Sequence, residues 1–183
     1  MDWIFIDEEL EYDGSQLKSL WAYGLFGVKE DSIISFIGPC NVRREHMVDY
    51  EDYVSGYTIE SPKMLHFIVE HFDDVSLRLI YTRQRLLVSI AKDVIDPTVE
   101  RVGDDLYYNG RKLSVSIATL SPVSAKIHLG INVVAPKEYV GLSDMGIGEE
   151  QAKEIAIEIC RRYATEIMDI EEDLRKTRPV GTF

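Results

Sequence analysis

Most of the side chains in this sequence that can do chemistry fall in one stretch, Gly103 to Val134, which reads GDDLYYNGRKLSVSIATLSPVSAKIHLGINVV. It holds a lysine, Lys112, set among Asp105, Tyr107, Ser114, Ser116, His128 and Asn132. Such a set can hold a polar or charged small molecule: an ammonium for an anion, and hydroxyl, imidazole and amide groups to orient it. Whether these residues meet depends on the strands that carry them.

Asn109-Gly110 lies between two strand-like runs, and both residue types accept the positive φ of a type I′ turn. That turn pairs Tyr108 with Arg111, Tyr107 with Lys112, Leu106 with Leu113 and Asp105 with Ser114. Strict alternation then sends Leu113, Val115 and Ile117 to one face, and Lys112, Ser114 and Ser116 to the other with Asp105 and Tyr107. After a loop at Ser121 to Ala125, a further strand puts Ile127, Leu129, Ile131 and Val133 on one side. His128, Gly130 and Asn132 fall on the other, with Asn132 expected near Ser114. The polar face so assembled reads equally well as the solvated side of an antiparallel sheet or as a ligand site.

These residues also carry a resemblance. DLYYNGRKL, the later GIN, and Leu142-Ser143-Asp144-Met145-Gly146-Ile147 are similar to the second half of a biotin-protein ligase domain. GRKLSVS resembles the Gly-Lys-Lys-Ile-Ser-Gly-Ser segment of lipoate-protein ligases. Over its whole length the chain resembles a small, uncharacterised archaeal family related to that fold, which class II aminoacyl-tRNA synthetase catalytic domains share. The resemblance implies an α+β fold with a central, mostly antiparallel sheet and flanking helices. It places Lys112 at the catalytic lysine that holds the carboxylate and α-phosphate while an acyl-adenylate forms, a role that suits a compact ammonium. It matches Asp105 and Asn132 to family positions, with Asp104 replacing an asparagine. It thus implies a small carboxylate ligand, and either acyl transfer with ATP or a binding module that has lost nucleotide chemistry. Two departures bear on that choice. Val115 stands where lipoate ligases have glycine, and Tyr-Thr-Arg-Gln-Arg at 81–85 replaces the glycine-rich phosphate loop.

The rest of the chain must position this stretch. At 183 residues, with 45% apolar and 28% charged residues, it suits one soluble domain with its own core. The net charge of −12 argues against a general nucleic-acid binder. No apolar run is long enough for a bilayer, the start lacks a secretion signal, and Cys40 and Cys160 form no metal or redox motif; the expected location is the cytoplasm.

Met1 to Asp7 reads as a short strand, Ser15 as the N-cap of a helix to Leu25 or Phe26, and Ser32 to Ile37 as a buried strand. Cys40 to Gly56 reads as a charged surface loop in the place of a ligand-covering segment, with Arg43 and Arg44 as phosphate-clamp candidates. Ser61-Pro62 opens an expected helix through Phe72. There His66 and Glu70 share a face and His71 points elsewhere, which is not the His-Glu-x-x-His metal arrangement; no metal is expected. Leu77 to Tyr81 and Arg85 to Ala91 read as paired strands, with Arg83 and Arg85 at the turn as anion-binding candidates. Asp93 to Arg101 is too short for a long helix. Pro136 to Gly148 is a loop with one helical turn. From Glu149 to about Lys176, apolar residues recur at three and four, the mark of an amphipathic helix. At roughly 42 Å it outruns a domain of this size, so its distal half is expected to contact a second copy, giving a homodimer.

Overall fold

The computed structural model describes residues 1–181; the last two residues of the expected domain lie outside the described residues. Five strands form the main sheet in the order β1-β2-β3-β8-β7. They are β1 (Asp2–Ile6), β2 (Ser32–Val42), β3 (Ile59–His71), β7 (Ser114–Leu120) and β8 (Ala125–Val134). Only the β1–β2 pair is parallel. A small second sheet contains β4 (Glu100–Val102), β5 (Asp105–Tyr108) and β6 (Arg111–Lys112). Two long helices, α3 (Leu77–Ile95) and α4 (Glu149–Lys176), pack on one face of the main sheet. Leu65, Phe67 and Val69 of β3 and Ile127, Leu129 and Ile131 of β8 point into that core. The opposite face carries Met64 and Ile68, closed over by Tyr12, Trp21 and Ala22 of the N-terminal segment, which includes the short helix α1 (Trp21–Phe26).

The C-terminal helix occupies the range read from its periodicity. Three other expectations are corrected. Residues 61–72 are not helical; they belong to β3. Both faces of that strand are buried, so the alternation that marks a half-exposed strand is missing. Pro62 has no pairing partner on either neighbouring strand, at an irregularity in the β2–β3 ladder, so its missing N–H breaks no ladder bond.

Residues 77–95 form one helix rather than two strands. The Ser76 hydroxyl caps it by accepting from the Leu79 N–H at 3.3 Å, and Ile80, Gln84, Leu87, Val88, Ala91 and Ile95 make its buried stripe. The long helix thus lies upstream of Asp93 to Arg101.

The helix expected from Ser15 is interrupted. A 3-10 turn covers Ser15–Leu17, and α1 begins only after Leu20, which adopts a left-handed φ of 61°. The Leu20 N–H donates to Oε1 of the buried Glu70 at 2.9 Å, a contact that holds the break in place.

Candidate functional site

Asn109 and Gly110 have φ of 50° and 74°, the positive pair of a tight hairpin turn, and the ladder pairs Tyr108 with Arg111 and Tyr107 with Lys112. Beyond Lys112 the chain leaves the small sheet and enters the main one. The Leu106 N–H donates to the Ser114 hydroxyl at 2.8 Å instead of to a backbone carbonyl, and Leu113 and Ser114 are both buried. This one-residue offset reverses the facing of all β7. Ser114 and Ser116 pair with Ile131 and Leu129 on the helix side, whereas Val115 and Ile117 pair with Gly130 and His128 on the other. The expected common face of Lys112, Ser114, Ser116 and His128 is therefore not what the fold builds.

A cleft of about 390 Å³ opens on the His128 side. Val115 and Ile117 of β7, with Leu17, Val42 and Ile59, give it an apolar lining. Lys112, Asp104 and Asp105 form one polar edge; His46, Asp49 and Asp52 form another. The segment expected as a surface loop makes this second wall, through a 3-10 turn at Arg44–His46 and helix α2 (Tyr50–Ser55). Asp49 caps α2, accepting from the N–H groups of Glu51 and Asp52. The hydroxyls of Tyr57 and Tyr139 lie 2.6 Å apart and join this wall to the loop after β8. That hydrogen bond, with partial burial, pushes the Tyr57 phenol up to about 12.

Lys112 Nζ is 2.9 Å from Asp105 Oδ2, and both side chains are partly exposed. Burial lifts the Asp105 carboxyl above the usual carboxylate range, against the opposing pull of Lys112. At the back of the cleft, His128 Nε2 is 3.0 Å from His66 Nδ1, and His66 Nε2 is 3.2 Å from the Gly38 carbonyl oxygen. Tyr12 stacks on the His128 ring with centroids 3.6 Å apart. Burial drives both imidazoles below their ordinary range, His66 to about 3.

The other predicted residues are used elsewhere. Ser116 accepts from Gln84 Nε2 of α3 at 2.5 Å and also contributes to the cleft lining. Asn132 is buried, accepting from Ser61 at 3.0 Å and donating to the Val140 carbonyl at 3.3 Å. Tyr107 lies outside the lining. Arg83 makes a bidentate pair with Asp73, and Arg85 pairs with Asp104. Arg44 stacks over the Tyr53 ring at 4.9 Å, and neither it nor Arg43 lines the cleft.

Tyr12, His46, His66, Asp49, Asp52, Tyr57 and Tyr139 were not singled out by sequence as cleft residues. The imidazole spacing His66–Gly130–His128 emerges only from the β3–β8 register.

Among the described residues, Asp31, His71 and Asp73 bring potential metal-ligand atoms within 4.8 Å of one another. These groups are already engaged: His71 bonds Asp31 and Tyr163, and Asp73 holds Arg83.

Sheet order, the covering helices and a cleft beside the hairpin lysine define a biotin- and lipoate-protein ligase fold. A biotin protein ligase from Aquifex aeolicus in complex with biotin and ATP matches with a TM-score of 0.55 at 14% identity, over 93% of this chain and 72% of that one. Lipoate-protein ligase A bound with ATP matches with a TM-score of 0.52 at 13% identity, over 90% and 86%. At these identities the likeness is one of fold. Residues 1–178 match the family described as Domain of unknown function (DUF366), and the chain belongs to it. It is 44% identical to the Uncharacterized protein MJ0805 of Methanocaldococcus jannaschii, across 98% of this chain and 86% of that protein. A solved structure, Protein of Unknown Function from Pyrococcus horikoshi, matches with a TM-score of 0.91 at 38% identity, covering 98% of both chains.

Proposed function

We propose that this chain is a single ligand-binding domain that uses the cleft for a small carboxylate-bearing molecule, with Lys112 as its anchor. The observation that carries the reading is the position of that lysine. It is the one Lys or Arg side chain in the lining among the described residues, at the edge of an apolar wall. An ammonium has three donors and Asp105 engages one of them, which leaves the others for a ligand carboxylate. Burial lifts the Asp105 carboxyl above its usual range, which weakens its hold on the ammonium relative to a fully solvated carboxylate.

Acyl-adenylate formation is the alternative the fold brings with it, and the residues present do not fit a nucleotide triphosphate. Four aspartates line the cleft. Arg83 and Arg85 lie on α3, paired with Asp73 and Asp104, where a phosphate loop would need free donors. The binding reading is therefore preferred.

No helix among the described residues is long and apolar enough to cross a membrane. We place the protein in the cytoplasm as a homodimer, without general nucleic-acid binding. The free, buried Cys40 and Cys160, the charge of −12 and the distal part of α4 support these assignments.

Calorimetric titration with octanoate, lipoate and biotin tests the anchor, alongside a pyrophosphate-release assay with ATP and each acid. The expected result is saturable binding of at least one acid, its loss in Lys112→Ala, and no pyrophosphate. Pyrophosphate release that disappears in Lys112→Ala would establish the enzyme instead. Binding that survives Lys112→Ala unchanged would remove the lysine from the site.

A further inference from the structure

The strongest unassigned feature is the buried imidazole pair at the back of the cleft. The Gly38 carbonyl can only accept, so the His66 Nε2 at 3.2 Å from it carries the proton. His66 is fully buried and neutral, so its Nδ1 is bare. That bare nitrogen can only accept, so the His128 Nε2 at 3.0 Å must be its donor. A neutral His128 with its proton on Nε2 has a bare Nδ1 in turn.

The surroundings keep this ring in place. Tyr12 stacks on it at an interplanar angle of 12°. Gly130 leaves room beside it, since a Cβ there would stand 3.2 Å from His128 Cε1 and 2.8 Å from Met64 Cε. The ring is 3% exposed, yet its Nδ1 is not among the buried, unpartnered atoms of the described residues and has no protein donor. Its remaining access is the cleft that His128 lines, beside the hydrocarbon of Val115 and Ile117.

We propose that His128 is a specificity-determining residue of the cleft, whose unprotonated Nδ1 accepts a hydrogen bond from an O–H or N–H group on the ligand. His66 acts as a positioning residue that selects this tautomer through the Gly38 carbonyl. Resting on the carboxylate-binding reading above, the ligand class narrows to small acids that also bear a neutral hydroxyl or amide donor away from the carboxylate. A purely aliphatic tail would strip water from Nδ1 and leave it unpaired, and an unpaired buried acceptor is disfavoured.

The test uses the full chain. A long-range 1H–15N spectrum of the histidine side chains at neutral pH is expected to show both His66 and His128 protonated at Nε2 alone. Titrations with 1-hexanol, hexanoate and 6-hydroxyhexanoate then separate the two ends of the site. The alcohol is expected to move the His128 Nδ1 resonance, and the hydroxy acid to bind about fivefold to tenfold tighter than hexanoate. His128→Phe keeps an aromatic ring under Tyr12 and is expected to abolish that preference; should it fail to fold, the wild-type spectra and titrations decide. A proton on His128 Nδ1, or an Nδ1 resonance unmoved by both hydroxyl probes, overturns the proposal. If 1-hexanol moves Nδ1 while hexanoate does not bind, the Lys112 anchor fails and the His128 assignment stands.

Discussion

Lys126 Nζ lies 2.9 Å from Glu70 Oε2, and neither side chain is more than 2% exposed. Glu70 also accepts from the Ser124 hydroxyl at 2.6 Å and from the Leu20 N–H, so one carboxylate joins two strands to the break before α1. Burial pulls the Lys126 ammonium below its usual range, and Glu70 opposes that shift. Removing one member of such a pair leaves the other charge unmatched. Lys126→Met is expected to cost about 3–5 kcal/mol in urea unfolding, and combining it with Glu70→Gln should restore part of that loss. A loss below about 1 kcal/mol, the range of exposed pairs, would show that the pair is hydrated.

Asp105 competes with any ligand carboxylate for Lys112. Asp105→Asn keeps the shape and removes the competing charge. It is therefore expected to tighten octanoate binding several-fold, where Lys112→Ala weakens it about tenfold or more. Both side chains are partly exposed, so neither change should alter stability by more than about 1 kcal/mol. Equal weakening by both substitutions would mean that the ion pair itself forms the binding surface.

The parts of the fold legible in the sequence are those with a local signature. Asn109-Gly110 announces its turn, and the spacing from Ala152 to Leu174 announces α4. β3 was illegible because both of its faces are buried, which erases the period that separates strand from helix. α3 is hard to tell from paired strands in its local sequence, since Leu77, Leu79 and Tyr81 alternate over its first turns and the three-and-four stripe appears only over the full length. Lys112 and Asp105 could be placed on one face from the hairpin alone. Ser114 and Ser116 could not be placed, because the offset at Leu113 arises where one sheet hands the chain to another. The His66–His128 contact joins residues 62 apart through strand register, and no local pattern encodes it.

Gly38 permits the closest backbone approach near the cleft. A Cβ there would lie 2.0 Å from the Leu10 carbonyl oxygen. The segment it would displace bonds β2 through Tyr12 N–H to Pro39 O and Asn41 N–H to Tyr12 O, both at 2.9 Å. Gly38→Ala is expected to destabilise by about 1–3 kcal/mol and to lift Tyr12 off His128. Thermal unfolding and the His128 ring resonances report the two effects. An unchanged midpoint would show that the N-terminal segment adapts freely.

The depressed histidines set an acid dependence. His66 stays neutral in the fold down to about pH 3, and His128 is also lowered, while unfolded histidines take up protons near pH 6.5. The unfolded state therefore binds more protons below that pH. The stabilisation is complete above about 6.5 and is lost as pH falls toward the folded values. Each histidine is expected to contribute up to about 1.4 kcal/mol per pH unit in that window. Urea unfolding at pH 7 and pH 5 measures the slope, and His128→Phe should flatten it. A wild-type stability that does not change between those pH values would mean that neither imidazole is held below its ordinary range in the fold.

Ile170 and Leu174 continue the stripe of Tyr163 and Ile167, but they lie beyond its buried part. Tyr163 and Ile167 are buried, whereas Ile170 and Leu174 are 39% and 64% exposed. An isolated helical extension gains little from propensity alone and is held by burial of its apolar stripe. A second copy docked along this end of α4 would supply that burial. Light scattering at micromolar concentration is expected to give a particle of twice the 20.9 kDa chain. Leu174→Asp with Ile170→Asp should return it to one chain while leaving the cleft able to bind. A wild-type protein that scatters as a single chain would remove the dimer, and a dimer unaffected by the double substitution would move its interface away from α4.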